Sequence, residues 1–266
     1  MTPSVLFQSL WQDYTSRLCP SAGNVHKLLQ EDEPLINDHI ALRTFNLDPV
    51  SLEVLAKPFL ELGYEEAGDY VFESKKLVAK HFQHPDPTQP KVFISQLKVE
   101  ECSSELQNIV KQLVAQVDAQ EMQGFEFLYS GRAWQLTQQE YRVLAQESEY
   151  AAWLAAHGYG ANHFTVSVNQ LNQFDEVQQV NDYLKASGFL INQSGGEVKG
   201  SAEVLLEQSS TMADRVNVDF DDGIAQIPGG FYEFAKRYPM ANGELYSGFV
   251  AASADKIFES TDNEQH

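Results

Sequence analysis

A combination of strand and helix occurs twice along the 266-residue chain, and it constrains the fold more than any other feature. In the first copy His39 precedes Gly63 by 24 residues, and in the second His163 precedes Gly188 by 25. Each glycine ends a helical pattern, as expected of a left-handed C-cap. The repetition predicts two strand-helix-strand-strand-strand modules. Chance similarity is the alternative, because strands and helices alternate in many α/β chains.

Hydrophobic periodicity predicts the individual elements. The segment Asp38–Phe45 alternates like a strand, with His39, Ala41 and Arg43 on one face, and Asn162–Val168 does the same around His163. Thr137 and Glu140 have the spacing of a capping box. The other predicted strands are Tyr64–Phe72, Leu77–Gln83, Lys91–Val99, Val204–Gln208, Arg215–Phe220 and Phe231–Arg237, and the predicted helices cover Val5–Leu18, Asp48–Leu62, Ser104–Val117, Thr137–Gly158 and about 174–188.

The two modules define the expected domain organisation. We predict a single domain over 1–266, with modules at about 35–100 and 160–240. An N-terminal helix precedes the first module, and a helical insert at about 103–158 separates the two.

The charge balance argues against several kinds of partner. The chain has 38 acidic and 18 basic residues, a formal charge of -20, and no basic tract. This composition argues against binding to nucleic acid or to an anionic membrane. A small anionic substrate would need a local cation, either an arginine or a metal. The two cysteines, which have no CxxC spacing, and the lack of a leader or a long apolar run predict a cytoplasmic protein.

Three residues are candidate metal ligands. His39 and His163 lie early in equivalent strands, so a pseudo-twofold packing of the modules would bring both imidazoles together. Glu233 lies among aromatic residues in the closing strand of the second module. Two imidazoles and one carboxylate suit an iron(II) oxygenase, since substrate and O2 can then share the metal. Structural roles stay open for all three, including an exposed edge-strand position for Glu233.

Two further residues bear on the chemistry of such a site. Arg43 lies four residues after His39, about 13 Å along the same strand face. Its guanidinium could anchor a substrate carboxylate, or it could form an ordinary salt bridge. Gln96 lies in the segment of module one that matches Glu233, and it could be a weak fourth ligand of a glyoxalase-like enzyme. The other five histidines are left out as loop, helix or tail residues: His26, His81, His84, His157 and His266.

At these residues the chain resembles the 2-oxoadipate dioxygenase/decarboxylases, a family once known only as a domain of unknown function. The resemblance extends from about residue 35 to 240. Other enzyme patterns are missing, including GxSxG, the P-loop and HExxH. The matching stretches are Asp38–Phe45, Lys91–Ser95, Asn162–Val168, Glu203–Ser210 and Ile227–Phe234.

The resemblance implies both fold and function. It implies an α+β fold in which two vicinal-oxygen-chelate-like modules form a mixed, curved β-sheet around a metal site, with added helices. It implies that His39, His163 and Glu233 bind Fe(II) and that Arg43 holds the distal carboxylate of the substrate. The expected partners are a 2-oxo acid and O2, and the expected reaction converts 2-oxoadipate to 2-hydroxyglutarate, as in lysine breakdown. Zn or Ni could occupy the site in the purified protein.

Two other classes of function remain open from the sequence. One is a glyoxalase-like lyase or isomerase, or a hydrolase, in which the metal acts only as a Lewis acid. The other is a non-catalytic module that binds a small molecule on the same fold. Only the dioxygenase/decarboxylase function predicts consumption of O2 with release of CO2. The sequence leaves the oligomeric state open.

Overall fold

The computed structural model describes residues 1–30 and 34–261, which contain ten β-strands. All the predicted strands form, within two residues of their expected ends, whereas two further strands, Lys199–Ser201 and Gly223–Pro228, were not predicted. His266 lies outside the described residues. The strands are β1 (Asn37–Phe45), β2 (Glu65–Phe72), β3 (Leu77–Gln83), β4 (Lys91–Leu97), β5 (Ala161–Ser167), β6 (Lys199–Ser201), β7 (Leu206–Ser210), β8 (Arg215–Phe220), β9 (Gly223–Pro228) and β10 (Phe231–Arg237).

Eight strands form one mixed sheet in the order β2-β3-β4-β1-β5-β10-β7-β6, curled into a half-barrel. The two halves have the same internal order, because β4 lies between β1 and β3 just as β10 lies between β5 and β7. β1 and β5 are antiparallel neighbours at the centre, with His39 opposite Thr165 and Ala41 opposite His163. The predicted α+β fold of two similar modules is therefore confirmed. β8 and β9 form a separate hairpin between β7 and β10.

Eight α-helices lie in the described part of the chain, and local sequence signals account for several of their ends. The capping box of Thr137 and Glu140 is formed, with both reciprocal hydrogen bonds. Gly63 and Gly188 both have a φ of 91° just after equivalent helices, as the repeat predicts. The helices are α1 (Pro3–Asp13), α2 (Pro20–Leu29), α3 (Leu52–Glu61), α4 (Ser104–Val114), α5 (Gln138–Glu147), α6 (Glu149–His157), α7 (Val177–Ala186) and α8 (Ala251–Phe258).

Two helices that the sequence predicts as continuous are interrupted. The first changes to a wider π-helical turn over Tyr14–Leu18, where the Tyr14 hydroxyl donates a hydrogen bond to the Phe231 carbonyl of β10. The second divides into α5 and α6 because Ser148 leaves the helical conformation and accepts a hydrogen bond from the Ala151 amide. In both places a specific hydrogen bond overrides the helical periodicity.

Both faces of the central strands are buried. Ile40 and Leu42 of β1 pack on one face, while His39 and Arg43 point to the other and are each about 2% exposed. α3, α1 and α7 contact β1, β5 and β10 respectively, and α8 contacts β2, β6 and β7. Over the described part of the chain, no helix has the length and apolar composition needed to cross a membrane.

Candidate metal centre

Three adjacent strands bring the predicted ligands together. Glu233 of β10 lies opposite Thr165 of β5, which in turn lies opposite His39 of β1. The Nε2 atom of His39 is 3.4 Å from Oε1 of Glu233, and Nε2 of His163 is 3.3 Å from Oε2. Two ligands about 2.1 Å from one ion are themselves about 3 to 4 Å apart. These separations fit a shared cation.

The surroundings of Glu233 also fit a cation. Its side chain is buried, and its Oε2 atom has no hydrogen-bond donor. Burial by itself would raise the pKa of this carboxyl, but the imidazoles of His39 and His163 outweigh it and lower the pKa. A buried carboxylate with a bare oxygen requires positive charge nearby. Histidine, cysteine, aspartate and glutamate are the usual metal-binding side chains. Among residues 1–30 and 34–261, only His39, His163 and Glu233 form a group of three whose ligand atoms lie within 4.8 Å of one another.

A buried ion pair orients His39. Its Nδ1 atom lies 2.7 Å from the Asp38 carboxylate, which can only accept a hydrogen bond. Arg237 donates to both Asp38 oxygens, at 2.6 and 2.8 Å. Burial would raise the pKa of Asp38, but Arg237 and His39 hold it well below its usual range. The Nδ1 proton therefore points to Asp38, and the Nε2 lone pair faces Glu233 and the cation position.

His163 is held in a different way. Its Nδ1 atom lies 3.1 Å from Oδ1 of Asn162, and its ring stacks on Phe231 with centroids 4.7 Å apart. Burial lowers the pKa of His163 to about 3, more than the nearby Glu233 raises it. The imidazole is therefore neutral at physiological pH, which is the state that binds a metal.

His39 is shifted in the opposite direction. Burial would lower its pKa, but the charge of Glu233 and the hydrogen bond to Asp38 outweigh burial and raise the pKa. Without a metal, His39 therefore binds a proton at Nε2 more readily than a free imidazole does. A metal that binds here competes with that proton.

Gln96 is not at the position of a fourth ligand, so that alternative is wrong. In β4, Gln96 pairs with Thr44 on the sheet face opposite to His39 and accepts a hydrogen bond from the Leu52 amide at 2.9 Å. The register places Phe93 at the point equivalent to Glu233, since Lys91 lies opposite His39. An aromatic ring thus stands where a four-ligand enzyme would have another donor.

The sequence reasoning missed Gln208 on β7. Its amide nitrogen donates to Oε1 of Glu233 at 2.6 Å, which leaves Oε2 for a cation. Gln208 ends the predicted strand Val204–Gln208, and alternation alone could have placed it on the face of Ser210, opposite Glu233.

Lys199 of β6 pairs with Gln208 of β7 and is also buried. Burial lowers the pKa of the Lys199 ammonium to about 8.

Arg43 lies on the same sheet face as His39, as predicted, but it contacts other residues. It is stacked against the rings of Tyr150, Trp153 and Phe258, at 5.0, 4.9 and 5.6 Å from their centroids. Its terminal nitrogens donate to Glu149 at 3.3 Å and to Thr261 at 3.2 Å. The Nε atom is buried and has no acceptor.

The segment after β10 closes the open side of the half-barrel. Phe249 packs edge-on against His39 with ring centroids 4.7 Å apart, and its backbone amide donates a hydrogen bond to the hydroxyl of Tyr70 in β2. α8 brings Ile257 and Phe258 over the metal position. The sequence patterns did not predict this helix. The lining of the remaining cavity is His39, Phe93, His163, Gln208, Glu233, Phe249, Ala254, Ile257 and Phe258.

The remaining described histidines lie away from the cluster or only border it. His157 is buried against the Pro228 carbonyl, and His26 contacts the Tyr232 hydroxyl. His84 packs on Tyr64, and His81 is bonded to Tyr70. This distribution agrees with leaving them out of the ligand set. Two imidazoles and a carboxylate leave coordination positions open, and such a site can bind a chelating substrate together with a second small molecule.

Known proteins resemble the chain over nearly its whole length. A structure from Shewanella frigidimarina NCIMB 400, described as a hydrolase, is 60% identical with a TM-score of 0.91, covering 94% of this chain and 98% of that one. Hydroxyglutarate synthase from Oryza sativa, solved in complex with 2-oxoadipate, is 32% identical with a TM-score of 0.91, covering 98% and 92%. A glyoxalase superfamily protein from Ralstonia eutropha JMP134, 21% identical with a TM-score of 0.73 over 94% and 86%, shares the fold.

The family model for 2-oxoadipate dioxygenase/decarboxylase matches residues 8–244, which include both modules and all three clustered side chains. The glyoxalase-like neighbour agrees with the predicted vicinal-oxygen-chelate type of fold. The chain therefore belongs to the 2-oxoadipate dioxygenase/decarboxylase family of enzymes.

Proposed function

We propose that this enzyme converts 2-oxoadipate and O2 to 2-hydroxyglutarate and CO2, with iron(II) held by His39, His163 and Glu233. The observation that carries the proposal is the cluster itself, whose ligand atoms lie within 4.8 Å of one another in a family of dioxygenase/decarboxylases. The similarity to a rice enzyme that binds 2-oxoadipate supports the choice of substrate.

The donor set favours iron(II) among the divalent metals. Two imidazoles and one carboxylate with open positions are the ligand set of non-haem iron(II) oxygenases. When bound, iron(II) supplies chelation of the 2-oxo acid and activation of O2 at one centre. The fourth position lacks a protein donor in this chain, because Phe93 occupies the equivalent point.

Arg43 has the chemistry to hold the far end of the substrate. It is the buried guanidinium on the same strand face as His39, in a chain with a formal charge of -20. A planar guanidinium binds a carboxylate through two parallel hydrogen bonds. We infer that Arg43 binds the distal carboxylate and thereby fixes which carbon of the acid faces the metal.

The remaining residues prepare the site. Asp38 and Arg237 fix the ring of His39, and Gln208 fixes one oxygen of Glu233. Phe93, Phe249 and Phe258 surround the reacting centre with apolar surface, which excludes water and protects the reaction from side reactions.

The reaction balances without a second organic substrate. One oxygen atom of O2 joins the former keto carbon, which becomes the new carboxylate, and the other becomes the new hydroxyl group, while the carbon dioxide keeps both oxygens of the original carboxylate. The carbon chain loses its first carboxyl group and shortens by one carbon. The electrons that reduce O2 come from the decarboxylation and from the carbon that is hydroxylated.

The test is anaerobic reconstitution with iron(II), followed by measurement of O2 uptake and CO2 release with a panel of 2-oxo acids. We expect equal amounts of O2 consumed, CO2 released and 2-hydroxyglutarate formed from 2-oxoadipate. Conversion of a 2-oxo acid without O2 uptake would instead identify Lewis-acid chemistry of the glyoxalase type. Metal binding without any turnover would indicate a non-catalytic binding module.

A further inference from the structure

The cavity at the metal position is too small for the proposed substrate. The volume within which the centre of a water molecule can lie in this cavity is about 20 Å³. One water molecule needs about 10 to 15 Å³ by this measure, so the cavity holds about one water. A six-carbon acid can enter only if part of the lining moves. The lining from α8, which includes Ile257 and Phe258, belongs to the segment that closes the half-barrel.

A larger cavity adjoins this one, and we name it the outer cleft. It offers about 230 Å³ by the same measure. Phe258 lines both cavities, so its ring forms a wall between them. The outer cleft is lined by Ser74, Lys75, Lys76, Cys102, Glu147, Ser148, Glu149, Tyr150 and Phe258.

Arg43 lies directly behind the outer cleft. Three of the lining residues contact its guanidinium: Glu149 at 3.3 Å, and the rings of Tyr150 and Phe258 at 5.0 and 5.6 Å from their centroids. The buried Nε of Arg43 has no acceptor, so the group retains unused capacity to bind a carboxylate. Glu149 is therefore a carboxylate that already contacts Arg43, the residue to which we assign binding of the distal carboxylate of the substrate.

We propose that the outer cleft is the substrate entrance and that Glu149 and Phe258 are its gate. Glu149 holds Arg43 until the distal carboxylate of the substrate replaces it, and the Phe258 ring moves aside to join the two cavities. This inference rests on the proposed function, since it assumes that Arg43 binds that carboxylate. Glu149 and Phe258 are positioning residues, which act through Arg43 and through access to the metal.

The charges at the rim suit this role. Lys75 and Lys76 balance the charges of Glu147 and Glu149 in the lining of the outer cleft, so a dianionic acid meets less repulsion there than the formal charge of -20 on the whole chain would give. Lys75 is 3.9 Å from Asp255 of α8, and both side chains are more than a quarter exposed. Such a pair contributes little to stability, so it resists movement of α8 only weakly.

The gate is tested by steady-state O2 uptake with Glu149→Gln and Glu147→Gln. Glu147 lines the same cleft but pairs with Lys76 at 3.0 Å, so its variant measures the effect of removing a cleft charge alone. We expect Glu149→Gln to lower the KM for 2-oxoadipate by about threefold relative to Glu147→Gln, because substrate no longer displaces a carboxylate. The KM for 2-oxohexanoate, which has no distal carboxylate, should be the same in both variants.

Other outcomes separate the two proposals. Equal KM values for 2-oxoadipate in the two variants, with the wild type active, would overturn the gate and leave the proposed function intact. No O2 uptake by the iron-loaded wild type would reject the proposed function itself.

The route is tested by filling the cleft. Ser74 is an exposed lining residue, so Ser74→Trp adds a bulky ring at the entrance without disturbing the core. Ser187→Trp, at the end of α7, is the matched control on another exposed surface. We expect only Ser74→Trp to lower kcat/KM for 2-oxoadipate several-fold, with the iron content and thermal stability of both variants equal. Unchanged kcat/KM in Ser74→Trp would overturn the entrance.

Discussion

The Nδ1 atom of His39 lies 2.7 Å from the carboxylate of Asp38, and both groups are buried. Arg237 holds that carboxylate from the other side through two hydrogen bonds. The two histidines of the cluster therefore differ in their support: a buried ion pair orients His39, whereas the amide of Asn162 and the ring of Phe231 hold His163.

Asp38→Asn is expected to weaken metal binding without removing a ligand. The neutral amide cannot fix the Nδ1 proton of His39 as a carboxylate does, so the affinity for iron(II) should fall by about 10- to 100-fold. Anaerobic titration with a competing chelator measures this affinity. Asp69→Asn removes the same charge at an exposed position of β2 and serves as the control. An affinity equal to that of the control would contradict the proposed role of Asp38.

Arg43→Met is expected to weaken the use of dicarboxylic acids while the metal stays bound. Loss of a charge-assisted hydrogen bond should lower kcat/KM for 2-oxoadipate by about 10- to 100-fold. The kcat/KM for 2-oxohexanoate, which has no distal carboxylate, should change much less. Steady-state O2 uptake with each acid measures both kcat/KM values. Arg215→Met, in the exposed β8, is the control. Equal losses on both acids would reject Arg43 as the anchor.

The stability of the metal-free protein is expected to fall as the pH drops below the ordinary pKa of histidine. Burial lowers the pKa of His157 from 6.5 to about 3, so between these values the unfolded chain binds a proton that the folded protein does not. Stability contributed by neutral His157 is therefore complete above pH 6.5 and is lost progressively toward pH 3.

Urea unfolding at several pH values measures this loss. His157→Gln removes the titrating group while it keeps a donor for the Pro228 carbonyl. Between pH 3 and pH 6.5, the free energy of unfolding should change with pH less steeply in the variant than in the wild type, by about 1.4 kcal/mol per pH unit. Above pH 7 the slopes of the two proteins should be the same. Parallel curves throughout would show that His157 does not contribute.

The chain is expected to unfold as a single domain. β1 and β5 pair directly, so the two modules share one sheet, and their separation would expose two central strand edges. Calorimetry of the metal-free protein should give one transition with equal calorimetric and van't Hoff enthalpies. Two resolved transitions would show that the modules are independent domains.

The parts of the fold that local patterns encode were predictable. Alternation in Asp38–Phe45 and Asn162–Val168 gave β1 and β5, and the repeat placed both at the centre of the sheet. The capping box at Thr137 marked the start of α5. These signals involve residues close together in the sequence, whose spacing alone fixes the face that they share.

The contacts that prepare the site were not predictable, because they join residues far apart in the sequence. Arg237 meets Asp38 across 199 positions, and Thr261 meets Arg43 across 218. α8 was not predicted from the sequence, and its place is set by packing on β2, β6 and β7. Gln96 was considered as a ligand from its position in the repeat, but the strand register turns it to the opposite face.

The most direct test of the account is the iron(II) content after anaerobic reconstitution and removal of loosely bound metal. The wild type should retain one iron per chain, since the ligand atoms of His39, His163 and Glu233 lie within 4.8 Å of one another. His39→Ala, His163→Ala and Glu233→Ala should each lose most of it and lose O2 uptake with 2-oxoadipate. Full iron content and full turnover in all three variants would contradict the metal centre described.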